Sequence, residues 1–155
     1  VNHAILKITL FFCAGAIYVN FHKEKITELN GIGRAMPWTM GAFTLASIGL
    51  VGIPPVNGFM SKWYLGLGAL ESGQIIVLII LLISGLLNAG YFFPIVYRAF
   101  FKESEEFKSS KEASKWMVVP LVFTAVLSIL IGVKPDLFFK FFPLAVQISQ
   151  EILGV

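Results

Sequence analysis

The fold is decided by the stretch Gly52-Ile53-Pro54-Pro55-Val56-Asn57-Gly58, which interrupts an apolar segment covering residues 36–70. As one straight helix, that segment would be about 50 Å long, whereas the hydrocarbon core of a bilayer is about 30 Å thick. Two consecutive prolines remove two backbone donors, and the residue before a proline is disfavoured in helical geometry. We therefore predict two half-helices, Pro37–Ile53 and Gly58–Leu70, joined by irregular backbone at membrane depth. Such backbone is tolerated only where protein or water covers it.

The composition is that of a membrane protein. Hydrophobic residues make up 57% of the 155 and charged residues 14%, with a mean hydropathy of +0.82. A small soluble core cannot hide that much apolar surface. The net charge of +3 comes from lysines dispersed among glutamates, which argues against a nucleic-acid surface. The single cysteine, Cys13, excludes a disulfide framework or thiolate metal site, and we predict no metal and no cofactor.

Outward from the break, the sequence predicts an all-α membrane protein with about four transmembrane helices in residues 1–135. The predicted spans are 1–20, the discontinuous 37–70, 74–98 and 116–133. Pro94 is expected to kink the last turn of the third span. Residues 136–155 form an amphipathic pattern, which favours a C-terminal helix that lies in the membrane interface or is docked on a neighbour.

The loops differ strongly in basic residues. If the spans alternate in direction, loops 20–36 and 98–115 share one side and carry eight lysines and arginines together. The other side carries Lys134 and Lys140. The positive-inside rule then places both long loops in the cytoplasm and the C-terminus outside.

Two lysines, Lys62 and Lys7, stand in apolar sequence far from any acidic residue of the chain. A lysine in mid-bilayer costs at least about 2.5–3.5 kcal/mol on insertion scales, so it normally faces water or a partner. An amine held away from water gives up its proton more readily, which suits a proton relay. The alternative for Lys62 is a lysine that extends its ammonium to the membrane surface, with Trp63 and Tyr64 as interfacial aromatics.

Other polar groups could join this relay. His3 lies one turn before Lys7, so the two could exchange a proton, or both could sit at the aqueous edge of the span. Ser84, Asn88 and Tyr91 share one face of the third span. They are either a polar pathway or interhelical hydrogen-bonding groups, which are common between membrane helices.

The sequence resembles the antiporter-like subunits shared by respiratory complex I, Mrp cation/proton antiporters and energy-converting membrane hydrogenases. The resemblance is specific over residues 3–63 and looser to about residue 133. It is carried by His3-Ala4-Ile5-Leu6-Lys7, by Leu10-Phe11-Phe12-Cys13-Ala14-Gly15-Ala16-Ile17, by Leu29-Asn30-Gly31-Ile32-Gly33-Arg34-Ala35-Met36-Pro37 and by Gly49 through Trp63, which contains Gly-Ile-Pro-Pro, Gly-Phe and Ser-Lys.

The resemblance implies that the chain corresponds to helices 11–14 of a 14-span subunit in the plasma membrane of a prokaryote. It implies that Lys62 ends a central proton relay to which Lys7 and His3 also belong. The expected partners are the bilayer, other membrane subunits and the preceding helices, whether these are a separate chain or part of the same one. We therefore expect proton or Na⁺/H⁺ translocation, and the alternative is a subunit that only packs and seals such a complex.

Overall fold

The computed structural model describes residues 1–104, 107, 111–134, 147–148 and 150–151, and this part of the chain contains no β-strand. The prediction of an all-α membrane protein is confirmed. The helices are α1 (Asn2–Phe21), α2 (Ile32–Ala35), α3 (Pro37–Val51), α4 (Asn57–Glu71), α5 (Ile75–Phe101) and α6 (Lys115–Val133), with a short 3-10 turn at Ile26–Glu28. The predicted interfacial helix falls in residues 136–155, which lie outside the described residues except for the four at 147–148 and 150–151.

Three of these helices, α1, α5 and α6, are long and apolar enough to cross a membrane. The half-helices α3 and α4 have 15 residues each, so each is about 22 Å long and falls short of the hydrocarbon core. That the two form one discontinuous span stays a prediction; α3 is apolar and is followed directly by the break and α4.

The helix break lies where the prolines predict it. Helix α3 ends at Val51, because Gly52 takes a left-handed conformation with φ 92°. Helix α4 begins at Asn57, one residue before the predicted start. Ile53 is not helical, and the first half-helix ends two residues before its predicted bound at Ile53. Glycine reaches positive φ without the steric cost of a Cβ, which makes Gly52 the natural end of the helix.

Helix α3 is the centre of the bundle and packs against α1, α4, α5 and α6. Its fully buried positions include small or narrow side chains such as Thr39, Ala46 and Ser47, which let neighbouring helices approach closely. Helix α5 buries far less and exposes a row of leucines and isoleucines, as a bilayer or a neighbouring membrane protein would require. The half-helix that precedes the break is therefore shielded, whereas the break itself is covered only in part: Val56 and Asn57 are buried, and Ile53, Pro54 and Pro55 are exposed.

Two boundaries differ from the sequence prediction. Helix α5 ends at Phe101, three residues beyond the predicted end at 98, because its last turns are held from outside. The Arg98 carbonyl accepts a hydrogen bond from the Gly31 amide at 2.9 Å, and Ala99 is fully buried. The expected polar loop at 20–36 also contains the 3-10 turn and the short helix α2. The end of α5 depends on contacts between segments distant in sequence, which a local pattern does not contain. The 3-10 turn is held locally, by Lys25 and Glu28.

The loop before α3 and the loop after α5 lie together at one end of the bundle. The Lys111 amide donates to the Ala35 carbonyl at 3.0 Å. Arg34 and Glu103 form an exposed ion pair at 3.0 Å. These contacts agree with spans that alternate in direction, since alternation brings the two loops to the same side.

Candidate functional site

Lys62 lies in the second turn of α4, and its ammonium reaches back to the end of α3. The Nζ atom donates to the carbonyl oxygens of Leu50 at 3.0 Å and of Val51 at 2.8 Å. The side chain is half-buried, so it does not extend freely into solvent. The break thus turns the chain back far enough for a residue of the second half-helix to bind the end of the first.

The carbonyls that Lys62 binds are the ones that a helix cannot satisfy itself. The last four carbonyls of any α-helix have no intrahelical donor. In α3, the Ile48 and Gly49 oxygens accept from amides of the break, namely those of Gly52 and Ile53. The Leu50 and Val51 oxygens remain, and side chains satisfy them. The negative end of the helix dipole also favours a cation at this place.

A groove of about 620 Å³ between α4 and α5 contains this ammonium. Its lining is apolar, with residues such as Phe59, Trp63, Leu78 and Leu82. Among the described residues lining it, Lys62 is the one titratable group. Nor does any described carboxylate form an ion pair with Lys62. The charge is therefore compensated by helix carbonyls and not by an acid.

Two glycines leave room for the lysine. A Cβ at Gly52 would stand 2.6 Å from the Lys62 Cδ atom, closer than real Cβ contacts occur. A Cβ at Gly85 of α5 would stand 3.1 Å from the Val51 oxygen and 3.5 Å from the Lys62 Nζ atom. Any larger residue at Gly52 must displace the lysine side chain.

The break is tightly packed on one side only. A Cβ at Gly58 would overlap the Gly49 carbonyl, and a Cβ at Gly132 of α6 would overlap the Pro55 carbonyl. Asn57, the first residue of α4, is fully buried. The glycines therefore bring α3, α4 and α6 close together on one side of the irregular backbone. The other side, at Ile53, Pro54 and Pro55, is exposed in this chain and needs water or a neighbouring protein segment to cover it.

His3 and Lys7 are both exposed on α1 and do not contact Lys62 in this chain. They share a face, as their spacing predicts, but that face points away from the core of the bundle. The nearest connection runs through their neighbours: Asn2 donates to the Ser61 hydroxyl at 2.7 Å and to the Asn57 carbonyl at 3.3 Å. Asn2, which precedes His3, thus contacts Ser61, which precedes Lys62.

Of the three polar residues predicted on α5, only Asn88 reaches this site. Its Nδ2 atom donates to the Leu50 carbonyl at 3.2 Å, whereas Ser84 and Tyr91 are exposed. The side of α5 that faces α3 runs through Gly85, Asn88 and Phe92. Phe92 meets Phe43 edge to face with ring centroids 6.1 Å apart. The helix is rotated so that the glycine, and not Ser84, approaches the break.

The other end of α3 is held by a residue that the sequence did not single out. Glu112, in the loop before α6, accepts from the Trp38 amide at 2.9 Å and from the Thr39 hydroxyl at 2.6 Å. A carboxylate is favoured at a helix N-terminus by the free amides and by the dipole. Glu112 carries no local signal, because it lies 74 residues from Trp38.

Asn2 and Ser61 were also missed as contact residues. Their one available signal was sequence position, since each directly precedes a residue of the predicted relay. Short polar side chains in apolar sequence are common in membrane helices, so position alone did not single them out.

Residues 1–88 match the family described as NADH:quinone oxidoreductase/Mrp antiporter, TM. The chain is 43% identical over 101 residues to NADH-quinone oxidoreductase subunit N of Desulforudis audaxviator, an alignment covering 65% of this chain and 20% of that protein. It is 30% identical over 156 residues to a Na(+)/H(+) antiporter subunit of Alkalihalophilus pseudofirmus, covering 98% of this chain and 30% of that protein. The chain thus spans between a fifth and a third of the length of these relatives.

The fold also matches a solved structure. The structure of the Mrp complex from Dietzia sp. DQ12-45-1b contains a chain that superposes with a TM-score of 0.79 at 22% identity. The match covers 88% of this chain and 34% of that one. The resemblance drawn from the motifs of residues 3–63 is confirmed.

Proposed function

The chain belongs to the NADH:quinone oxidoreductase/Mrp antiporter transmembrane family, and we propose that it translocates protons, or exchanges Na⁺ for protons, as the C-terminal part of an antiporter-like subunit. The subunit would work within a larger membrane complex driven by a redox reaction or by an ion gradient. Its relatives are named as subunits of an NADH-quinone oxidoreductase and of a Na(+)/H(+) antiporter.

The observation that carries the proposal is the position of Lys62. Its ammonium lies at a helix break, in an apolar groove with no acidic partner among the described residues. Two of its three donors are taken by the Leu50 and Val51 oxygens, which leaves one for water or for another proton acceptor. No described acid neutralises the charge, so it is compensated by backbone carbonyls, and we propose that the free N–H passes its proton to an acceptor.

Lys7 and His3 would extend the relay across the exposed face of α1. A lysine on an outer face at membrane depth is costly against lipid, so this face needs a polar partner. We propose that other membrane helices cover it, either the preceding helices of the same subunit or a neighbouring subunit. Ser84 and Tyr91 would line a polar pathway only where such a partner covers α5.

We further propose the orientation derived from the basic residues. The paired loops 20–36 and 98–115 would face the cytoplasm of a prokaryote, and the C-terminus would lie outside. Fusion of a topology reporter after residue 104 tests this orientation, since a phosphatase fused there should be inactive if the loop is cytoplasmic.

A structural role is the second candidate, and one observation favours it. The Lys62 ammonium satisfies two helix-end carbonyls, and a lysine could be retained for that purpose alone. A subunit of this kind would pack and seal the complex without carrying ions.

Lys62→Gln and Lys62→Met in the intact complex separate the two roles. Glutamine keeps a donor for the helix end but cannot titrate, and methionine removes both properties. If Lys62 carries protons, both variants should lose about 10-fold or more of proton transport in inverted membrane vesicles, measured by acridine orange quenching.

Assembly of each variant is quantified on a native gel, with Lys102→Gln in an exposed loop as the matched control. Wild-type transport by Lys62→Gln would overturn the translocation proposal and support the structural role. Loss of transport in strict proportion to the loss of assembled complex would do the same.

A further inference from the structure

The Leu50 carbonyl is shared by two donors from different helices. It accepts from the Lys62 ammonium at 3.0 Å and from the Asn88 side-chain amide at 3.2 Å. The neighbouring Val51 carbonyl accepts from Lys62 alone among the described side chains. A carbonyl oxygen has two lone pairs, so the Leu50 oxygen is fully occupied while the ammonium is in place.

This difference matters when the Lys62 side chain moves away from the end of α3. A buried carbonyl without a donor costs about 1–3 kcal/mol. Without Asn88, departure of the ammonium would leave both the Leu50 and the Val51 oxygens without a side-chain donor. Because Asn88 stays on Leu50, only the Val51 oxygen loses its side-chain donor.

The packing of α5 gives Asn88 this position. Gly85, one turn earlier, lets α5 approach the break, and Phe92, one turn later, packs on Phe43. The other described residues around the groove are not titratable, so no second charge among them competes for the carbonyls that hold the ammonium.

We propose that Asn88 is a positioning residue for Lys62. It keeps the end of α3 satisfied, so that Lys62 can release its proton and its carbonyl contacts without unravelling the helix end. The inference rests on the proposed function, in which Lys62 carries protons. Asn88 touches no transported ion in this role and acts through the shared Leu50 oxygen.

The test compares Asn88→Leu with Asn88→Gln in the intact complex. Leucine has nearly the same size but no donor, and it leaves the Leu50 oxygen to the ammonium alone. We expect about a 5- to 10-fold loss of proton transport in inverted vesicles at equal assembly. Asn88→Gln, which keeps a donor, should recover at least half of the wild-type rate.

The pH dependence of transport distinguishes positioning from general destabilisation. With the Leu50 oxygen to itself, the ammonium form is favoured, so the alkaline limit of transport should move to higher pH in Asn88→Leu. A purely structural loss would scale the whole curve by one factor. Thr124→Val is the matched control, because it removes the hydrogen bond of 2.8 Å between Thr9 and Thr124 far from Lys62.

Three results would overturn the inference: wild-type transport by Asn88→Leu, an unshifted pH curve, or a failure of Asn88→Gln to recover transport. Lys62→Met is measured alongside. If that variant still transports, the proposed function fails. If it does not transport while Asn88→Leu behaves as wild type, only the role of Asn88 fails.

Discussion

The two ends of α3 are held by the same kind of interaction in very different surroundings. At the N-terminal end, the Glu112 carboxylate accepts from Trp38 and Thr39. At the C-terminal end, the Lys62 ammonium donates to Leu50 and Val51. Each charge has the sign that the helix dipole favours, and each comes from another element of the fold.

The surroundings decide what each charge costs. Glu112 lies in a loop rich in charged residues at the end of the bundle, where water is near. Lys62 lies in an apolar groove with no acid beside it among the described residues. An uncharged donor can satisfy a helix end, as Asn88 does at Leu50. A charged lysine is therefore not needed merely to satisfy the carbonyls at the buried end.

Among substitutions at the two ends of α3, we expect the largest loss of transport from one at Gly52. Gly52→Ala adds a Cβ at φ 92° and at 2.6 Å from the Lys62 Cδ atom, so it strains the backbone and displaces the lysine. We expect transport to fall about 10- to 100-fold, since small displacements of a reacting group are that costly.

Gly73→Ala is its matched control, because Gly73 also has positive φ (69°) but has no atom within 4 Å of an added Cβ. Both variants place a non-glycine residue at positive φ, which costs about 1–2 kcal/mol. Gly52→Ala should lose more stability because its Cβ also displaces Lys62, and only Gly52→Ala should lose transport. Equal transport by the two glycine variants would show that the lysine need not occupy its observed place.

A smaller effect is expected at the opposite end of α3. Glu112→Ala removes the acceptor of two hydrogen bonds at the helix N-terminus and should cost about 1–2 kcal/mol. The thermal stability of the solubilised complex should fall while transport per assembled complex stays near wild type.

Glu103→Ala is the control in the same loop. Its ion pair with Arg34 is largely exposed, with side-chain exposures of 60% and 80%, and exposed pairs contribute little. If Glu112→Ala assembles fully but transports poorly, the N-terminal end of α3 also affects transport, and its role is not only to stabilise the helix.

The smallest effect concerns one hydroxyl of α3. Thr39→Val removes a donor to Glu112 and should destabilise by about 0.5–1.5 kcal/mol. In Thr44→Val the lost hydroxyl bonds only to the Met40 carbonyl of its own helix. Thr39→Val should therefore melt at a lower temperature than Thr44→Val. Equal melting temperatures would mean that the hydrogen bond to Glu112 contributes nothing measurable to stability.

The helices and the break could be predicted because their causes are local. Apolar stretches of sufficient length make spans, and Pro54 and Pro55 stop a helix wherever they stand. Lys62 could be singled out for the same reason, as a charge in apolar sequence. The motifs of residues 3–63 likewise identified the family without any knowledge of packing.

The contacts of the site could not be predicted in the same way. Ser84, Asn88 and Tyr91 were equivalent on a helical wheel, yet only Asn88 meets the break, because Gly85 and Phe92 set the rotation of α5. Lys7 and His3 were expected beside Lys62 in one relay, but within this chain they face outward. Their role stays a prediction that depends on partners.

By itself, the sequence determined which apolar stretches form the long helices, where the second stretch breaks and which lysine stands beside the break. Only the tertiary structure decided that Lys62 binds the Leu50 and Val51 oxygens, that Asn88 shares one of them and that Glu112 holds the far end of α3. Local sterics and hydrophobicity act within a few residues, whereas these contacts join residues 11 to 74 positions apart. Such contacts depend on how the helices pack and rotate.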